Sequence, residues 1–245
     1  PLGAFLSGGI DSSTIVAAMA RYRKENHTFS IGFNESSFSE IPQARFIADY
    51  LKVSHHDEIV TGDIVNDLKR MAYFADEPFA DTSFIPMYYL AQFAKKYVTV
   101  CLSGDGGDEL FGGYETYMAD LLRHKTQHIP LLQGIGHRMV SLIPTSLNKV
   151  SFDYKVKQFT DGYGLDAQNA HYYWRNIFSN HEKMVLIRPE YKADILNYEP
   201  YTYFEGFFDN VKDCDILDQA MYVDIKTWLV DDILHKVDRT TMAHA

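Results

Sequence analysis

Cysteines, basic residues and long apolar runs are all scarce in this chain of 245 residues, and each scarcity excludes a class of protein. The two cysteines, Cys101 and Cys214, are too few for a disulfide framework, so a reducing cytoplasmic setting is expected. Lys and Arg number 23 against 33 Asp and Glu, a formal net charge of −10 that counts against a nucleic-acid binder. No signal peptide or membrane-spanning run appears, so we expect no membrane partner.

The first loop also lacks a lysine that a common class of nucleotide-binding loop requires. The stretch AFLSGGIDSST (4–14) reads as a strand, a glycine-rich turn and a helix, but G-x-x-x-x-G-K-[ST] is absent. Glycines let a ligand approach the backbone, and the first N–H groups of the helix attract a phosphate. Ser7, Ser12 and Ser13 can add hydroxyl donors. The carboxylate of Asp11 beside a polyphosphate indicates a divalent metal between them.

Strands alternate with helices through the first half of the chain. Strands are predicted at 2–6, 28–33, 53–60 and 97–102, the first of them short and apolar, with helices between them. Ser39 and Thr61 are the predicted caps of the second and third helices. This alternation predicts an α/β fold with a doubly wound parallel sheet, whose ligands bind beyond the carboxyl ends of its strands. Two glycine-rich loops, after Leu6 and after Leu102, fall at such ends, so we expect them to meet.

The pattern changes after about residue 118. Aromatic residues become frequent up to about 214 without strand alternation, which predicts a helical lobe. Two further helices are expected over 215–243, with a turn near 230–232. The predicted organisation is therefore an α/β core over 1–117 and a mainly helical continuation over 118–245.

Carboxylates cluster in the second glycine-rich loop, SGDGGDE (103–109). Like charges packed together repel one another unless a cation neutralises them, and Mg²⁺ bound with ATP prefers carboxylate and phosphate oxygens. Asp11 and Asp108 are the predicted metal ligands. The alternative is a solvated acidic turn, since charge runs of this kind are common.

Two basic residues near the end of the chain are candidate catalytic cations. Lys236 and Arg239 in HKVDR are three residues apart, which places them on one helical face, where they would offset charge at a phosphate and an acyl oxygen. A surface position for either side chain is the alternative. His55 and His56 are not expected to bind zinc, because no third ligand is suitably spaced.

Six stretches of the chain, taken in order, resemble one family. They are LSGGIDSS, TFSIGF, HHDEI, DEPFADTS, LSGDGGDELFGGY and DDILHKVDRTTMAHA. Together they are similar to the synthetase domain of glutamine-dependent asparagine synthetase, an ATP pyrophosphatase domain of the adenine nucleotide alpha hydrolase-like fold. The resemblance covers most of the chain and is weakest between about 118 and 200. SGGxDS marks only the superfamily, whereas SGDGGDELFGGY is far more specific.

The resemblance implies a reaction and a set of site residues. ATP would adenylate the aspartate side chain to β-aspartyl-AMP with release of pyrophosphate, and ammonia would then attack the acyl carbon. The implied pyrophosphate-binding residues are Ser7, Gly8, Gly9, Asp11 and Ser12. The implied adenosine-pocket residues are Leu6, Ile31, Ser103 and Gly104. Asp105 matches the acidic position associated with acyl-adenylate formation, and Tyr114 lies on the GGY that closes the loop.

The chain departs from the family pattern in two ways. The glutaminase domain is missing from it, and it stops at Ala245, before the arginine–carboxylate segment that normally follows. We therefore expect a fragment that uses free ammonia at best, with ATP, aspartate and ammonia as small-molecule partners. A homodimer is an expected assembly that the sequence does not test. The alternatives are a related amidotransferase or β-lactam-synthetase-like ligase for another carboxylate, or a nucleotide-binding regulatory domain without catalysis.

Overall fold

The computed structural model describes residues 1–34, 39–61, 63–129, 152–193 and 198–245. The chain divides into two compact units. The first unit comprises Pro1–Asp108 and Trp228–Ala245, and the second comprises Glu109–Thr227. Parts of the predicted helical lobe, 130–151 and 194–197, lie outside the described residues. Among the described helices, none has the length and apolar character needed to cross a membrane.

The first unit contains a parallel sheet of four strands in the order β3-β2-β1-β4. The strands are β1 (Leu2–Phe5), β2 (His27–Gly32), β3 (Ser54–Ile59) and β4 (Val100–Leu102). Successive strands move outward from β1 to β3, and the chain then returns to place β4 on the other side of β1. Gly3 pairs with His27 on one side and with Cys101 on the other. The expected α/β fold with a parallel sheet is confirmed, and its switch point lies between β1 and β4.

Helices cover both faces of this sheet. The helices of the first unit are α1 (Ile10–Tyr22), α2 (Ile41–Leu51), α3 (Ile64–Ala75), α4 (Phe84–Ala94) and, at the end of the chain, α12 (His235–Met242). On one face, α1 and α2 pack against β1 through Val16, Ala44 and the strand residue Ala4. On the other face, Phe93 of α4 packs edge-on against Phe29 of β2. The buried strand positions lie in the central strands β1 and β2, whereas β3, with the sequence SHHDEI, and β4 contain no buried residue.

Three local boundaries differ from the sequence-based expectations. Glu40, not Ser39, is the N-cap of α2, and Pro42 occupies its first turn. The N-cap of α3 is Asp63, whose side chain accepts from the backbone N–H of Asn66, and not Thr61. The turn expected near 230–232 is a π-helical stretch, Trp228–Leu234, that leads into α12. Capping residues at neighbouring positions compete for the same N–H groups, so a pattern locates a cap only to within about two residues.

The second unit is helical wherever the structure describes it. Its helices are α6 (Glu115–Thr126), α7 (Phe152–Tyr163), α8 (Ala167–Arg175), α9 (Asn180–Leu186), α10 (Tyr201–Asn210) and α11 (Ile216–Lys226), and α5 (Gly107–Phe111) begins in the first unit and ends here. Trp174 of α8 stacks on Phe159 of α7 and donates to the carbonyl of Gln158. At this helix pair the frequent aromatic residues therefore form packing contacts.

Candidate active site

The first glycine-rich loop joins β1 to α1 and has the geometry of an anion site. Gly8 has φ +86°, and a Cβ at this position would lie 2.6 Å from Cβ of Gln43, so a side chain does not fit. The N-cap of α1 is Gly9, and no side chain caps the helix. The first N–H groups of α1 therefore lack a side-chain acceptor at the positive end of the helix, where a phosphate is bound most favourably.

The serine hydroxyls of this loop are organised around its turn. The hydroxyls of Ser7 and Ser12 lie 3.0 Å apart, and the backbone N–H of Gly9 donates to the Ser7 hydroxyl. These contacts hold the loop closed on itself. The hydroxyl of Ser13, in the first turn of α1, is buried and has no hydrogen-bond partner among the described residues. A buried polar atom of this kind is satisfied when a ligand or water supplies the partner.

The second glycine-rich loop lies directly against the first. A Cβ built on Gly107 would fall 2.4 Å from Cγ of Asp11, and one on Gly104 would fall 2.7 Å from the backbone nitrogen of Ser12. Both positions need glycine because no side chain fits between the loops. The residue after Gly107 is Asp108, the second predicted metal ligand. The structure therefore brings Asp11, Ser12 and the 104–107 backbone together at the switch point of the sheet.

The other residues predicted to bind the nucleotide lie at or just after the carboxyl ends of strands. Leu6 is buried and donates its backbone N–H to the carbonyl of Phe29. Ile31 lies near the end of β2, where it packs against the apolar cluster around Tyr88. Ser103 is partly buried at the end of β4, and Asp105 is exposed in the loop. These strand-end positions suit the recognition of an adenosine beside a phosphate site.

Lys236 is buried and clamped by the DEPFADTS segment. Its Nζ donates to Oδ2 of Asp81 and to Oγ of Ser83, each over 2.6 Å. Burial alone would raise the pKa of Asp81, but hydrogen bonds from Lys236 and Ser83 outweigh it and hold this pKa below its ordinary value. The surface position considered for Lys236 is excluded, because the residue is 7% exposed.

Asp232 adds a second carboxyl group beside this ion pair. Burial raises its pKa to about 6, and the nearby charge of Asp81 adds to the effect while Lys236 opposes it. Asp232 lies on the π-helical stretch, three residues after Leu229, whose side chain lies 3.8 Å from the position of a Cβ on Gly106. The π-helical stretch thus contacts the second glycine loop and also carries Asp232.

Arg239 has different surroundings from Lys236, although both lie on α12. Its Nη2 is 3.6 Å from Oδ2 of Asp76, its Nε is buried without a hydrogen-bond partner among the described residues, and its side chain is 40% exposed. It contributes to an open groove of about 650 Å³. The residues lining the groove are Ala72, Tyr73, Phe74, Asp76, Glu77, Pro78 and Arg239. None of them belongs to either glycine loop, so the structure associates Lys236 and Arg239 with separate surroundings.

A magnesium ion fits this site only if substrate supplies part of its coordination shell. Within the described ranges, no group of three or more His, Cys, Asp or Glu side chains is placed to hold a metal. Mg²⁺ is commonly bound by one or two carboxylates together with substrate phosphates and water, which matches a pair such as Asp11 and Asp108. The nitrogens of His55 bond the hydroxyls of Thr28 and Ser30, so this histidine has a structural role.

Tyr114 lies in the second unit, where it belongs to a buried polar network. Its hydroxyl donates to Oε1 of Glu109 over 2.6 Å, and Glu109 is 1% exposed. The guanidinium of Arg175 lies 4.3 Å from the Tyr114 ring centroid and bonds Asp224. The solvated acidic turn considered as the alternative does not describe Glu109, which is buried and hydrogen-bonded. Tyr114 has a hydrogen-bonding role that its position in the GGY motif did not reveal.

His171 connects two buried aspartates in the same network. Its Nδ1 is 2.8 Å from Asp120, and its Nε2 is 3.1 Å from Asp224. Burial alone would lower the pKa of His171, but the two carboxylates outweigh burial and raise it to about 9. Burial raises the pKa of Asp120, whereas hydrogen bonds from His171 and Arg175 outweigh burial and lower the pKa of Asp224. Sequence analysis missed this network because His171 is 51 and 53 residues from its partners.

Comparisons with known proteins identify the family to which this chain belongs. The strand order defines an α/β domain, and the paired glycine loops form a candidate anion site at its switch point. The asparagine synthase family model matches residues 1–245. The chain is 34% identical to asparagine synthetase [glutamine-hydrolyzing] 1 of Bacillus subtilis, over 100% of this chain and 37% of that protein. It is also 34% identical to a putative asparagine synthetase [glutamine-hydrolyzing] 2 of Methanocaldococcus jannaschii, over 99% of this chain and 45% of that protein. A maize asparagine synthetase is 32% identical over 46% of this chain and 22% of its own length.

The chain belongs to the asparagine synthase family, and the resemblance found in its motifs is confirmed. It spans less than half the length of these relatives. The match to the family covers both units and therefore includes the helical region in which the quoted motifs are sparse.

Proposed function

We propose that this domain is an ATP-dependent amide-forming ligase that makes asparagine from aspartate and ammonia. The observation that carries the proposal is the contact between the two glycine loops, in which the Gly104–Gly107 backbone lies against Asp11 and Ser12. A paired-loop site at the switch point of a parallel sheet suits a triphosphate and its nucleoside. The names of the relatives, which are glutamine-hydrolysing asparagine synthetases, point to aspartate as the acceptor.

In the proposed first step, an aspartate side-chain oxygen attacks the α-phosphorus of ATP, giving β-aspartyl-AMP and pyrophosphate. Ser7, Gly8, Gly9 and Ser12 bind the departing pyrophosphate together with the N-terminus of α1, because N–H and O–H donors stabilise its growing charge. Magnesium held by Asp11 and Asp108 would supply charge neutralisation at the phosphates. Leu6, Ile31, Ser103 and Gly104 line the adenosine side of the site.

In the proposed second step, ammonia attacks the acyl carbon, AMP leaves with the electron pair of the broken C–O bond, and the nitrogen loses a proton to water. Asp105 acts during formation of the acyl-adenylate, and the ammonium of Lys236 stabilises negative charge on a phosphate or acyl oxygen. Arg239 is proposed to bind an anionic substrate group from the groove that it lines. Tyr114 acts on the loop by fixing Glu109, since its hydroxyl is already engaged there.

The test is aspartate-dependent exchange of pyrophosphate into ATP, followed by asparagine formation with ammonium chloride. We expect exchange with aspartate and magnesium, and none after Asp11→Asn. Asp57→Asn is the matched control, because it breaks a surface ion pair with Arg45 in the same unit. Exchange with another acid instead of aspartate would favour a related amidating or β-lactam-forming ligase. ATP binding without exchange with any acid would favour a non-catalytic nucleotide-binding domain.

A further inference from the structure

The side chains that surround Lys236 come from a segment about 150 residues away in sequence. Nζ of Lys236 donates to Asp81 and to Ser83, at sequence separations of 155 and 153. The same carboxylate also accepts the hydroxyl of Ser83 and, through its other oxygen, the Ser83 backbone N–H over 2.8 Å. The three groups therefore form a closed triangle of hydrogen bonds, in which each group fixes the other two.

Ser83 contributes to this triangle instead of to its own helix. It occupies the N-cap position of α4, where a serine hydroxyl ordinarily accepts a backbone N–H of the first turn. No such bond is present, and the hydroxyl bonds Asp81 and Lys236 instead. The backbone N–H groups of Phe84 and Ile85 donate instead to the carbonyls of Asp81 and Thr82, which leaves the Ser83 hydroxyl available to Lys236.

The number of donors on an ammonium group determines how many of them remain for a ligand. A lysine ammonium has three N–H donors, and two of those of Lys236 are used by Asp81 and Ser83. We propose that Asp81 and Ser83 are positioning residues, which occupy two donors of Lys236 and thereby aim the third at a ligand oxygen. The inference rests on the proposed function only for the identity of that oxygen, on a phosphate or on the activated carboxylate.

The neighbouring carboxyl group of Asp232 interacts electrostatically with both Lys236 and Asp81. Its Oδ2 is buried and, within the described part of the chain, has no hydrogen-bond partner. The direct contacts to Nζ are those of Asp81 and Ser83. Asp81 is the carboxylate that accepts a hydrogen bond from Nζ, so removing its charge should loosen the hold on Lys236.

The first experiment measures kcat and KM of pyrophosphate exchange. Asp81→Asn keeps the shape of the side chain and removes its charge, and we expect kcat to fall about a hundred-fold with KM for ATP nearly unchanged. Ser83→Ala should lose about ten-fold, while Ser83→Thr keeps the hydroxyl and most of kcat. In a Lys236→Met background neither change should cause a comparable further loss. Wild-type kcat in Asp81→Asn, or losses that multiply with Lys236→Met, would overturn the proposal.

The second experiment needs no turnover and keeps the proposal separate from the proposed function. Acetylation by an N-hydroxysuccinimide ester is followed at each lysine by mass spectrometry, with the half-exposed Lys96 as internal reference. In the wild type Lys236 should react well over ten-fold more slowly than Lys96, and Asp81→Asn should remove about ten-fold of that protection. Equal acetylation rates of Lys236 and Lys96 in the wild type would refute the proposal that Asp81 and Ser83 hold Lys236 in place. Protection of Lys236 without any exchange would refute the proposed ligase while the clamp stands.

Discussion

The buried position of His171 predicts that the stability of the second unit falls as the pH rises from about 6.5 to 9. Against the effect of burial, hydrogen bonds to Asp120 and Asp224 raise the pKa of His171 in the folded state from its ordinary value of 6.5 to about 9. A raised pKa adds stability that is fully present below 6.5, where both states carry the proton, and is lost as pH rises through 9. The pKa difference corresponds to about 3 kcal/mol. The pKa of Asp120 is raised as well, so its contribution to stability also falls as the pH rises above its ordinary value of 3.8.

The perturbation is His171→Gln, and its cost should depend on pH. At pH 6.5 the substitution removes a buried cation and leaves Asp120 facing Asp224, a loss of about 3–5 kcal/mol. Above pH 9 the wild-type imidazole has itself lost its proton, so the difference in free energy of unfolding between wild type and variant should shrink by up to about 3 kcal/mol.

Urea unfolding followed by tryptophan fluorescence provides the assay. The chain has two tryptophans, so a Trp228→Phe background leaves Trp174 as the sole reporter, and Trp174 lies on the same helix as His171. Unfolding is measured at pH 6.5, 7.5, 8.5 and 9.5 with and without His171→Gln. A difference that stays constant over this range would refute the reasoning, because His171 would then carry no proton linked to folding.

Two further outcomes follow from the structure. Gly107→Ala places a methyl group 2.4 Å from Cγ of Asp11 and should weaken ATP binding by about ten-fold or more in calorimetry, whereas Gly164→Ala, with nothing within 4 Å, should bind as the wild type does. Burial raises the pKa of Cys101 to about 11, so iodoacetamide at pH 8 should modify the exposed Cys214 and leave Cys101 intact, as read by peptide mass spectrometry. Equal ATP affinity of the two glycine variants would contradict the prediction for Gly107. Alkylation of Cys101 as fast as that of Cys214 would contradict the prediction for the cysteines.

The parts of the fold that could be predicted are those with a local or periodic cause. Apolar strands alternating with amphipathic helices predicted the parallel sheet, and the rule for carboxyl ends predicted that two distant loops approach each other. The caps at Glu40 and Asp63 were misplaced because several polar residues near each helix start are competent. The π-helical stretch Trp228–Leu234 has no periodic signal, since its spacing resembles that of a helix with one extra residue.

Contacts between residues distant in sequence account for what could not be predicted at the site. The HKVDR motif indicated Lys236 as a candidate cation but left a surface position open, and no local pattern indicated a role for His171. The structure pairs Lys236 with Asp81 and Ser83 in the first unit, and His171 with two aspartates in the second. A buried charge is tolerated only when its partners are supplied, so such residues become recognisable once the fold defines the partners.

The difference between these two buried cations indicates where function lies in the chain. Each ring nitrogen of His171 is bonded to a carboxylate, so the imidazole has no N–H left for a ligand. Its effect is therefore on stability. Lys236 has three N–H donors and uses two of them. It follows closely after the π-helical stretch Trp228–Leu234, which contacts the second glycine loop. A saturated cation fixes a fold, whereas a clamped cation with an unused donor is suited to bind an incoming anion. Substitutions around His171 should therefore lower stability first, and those around Lys236 should lower turnover first.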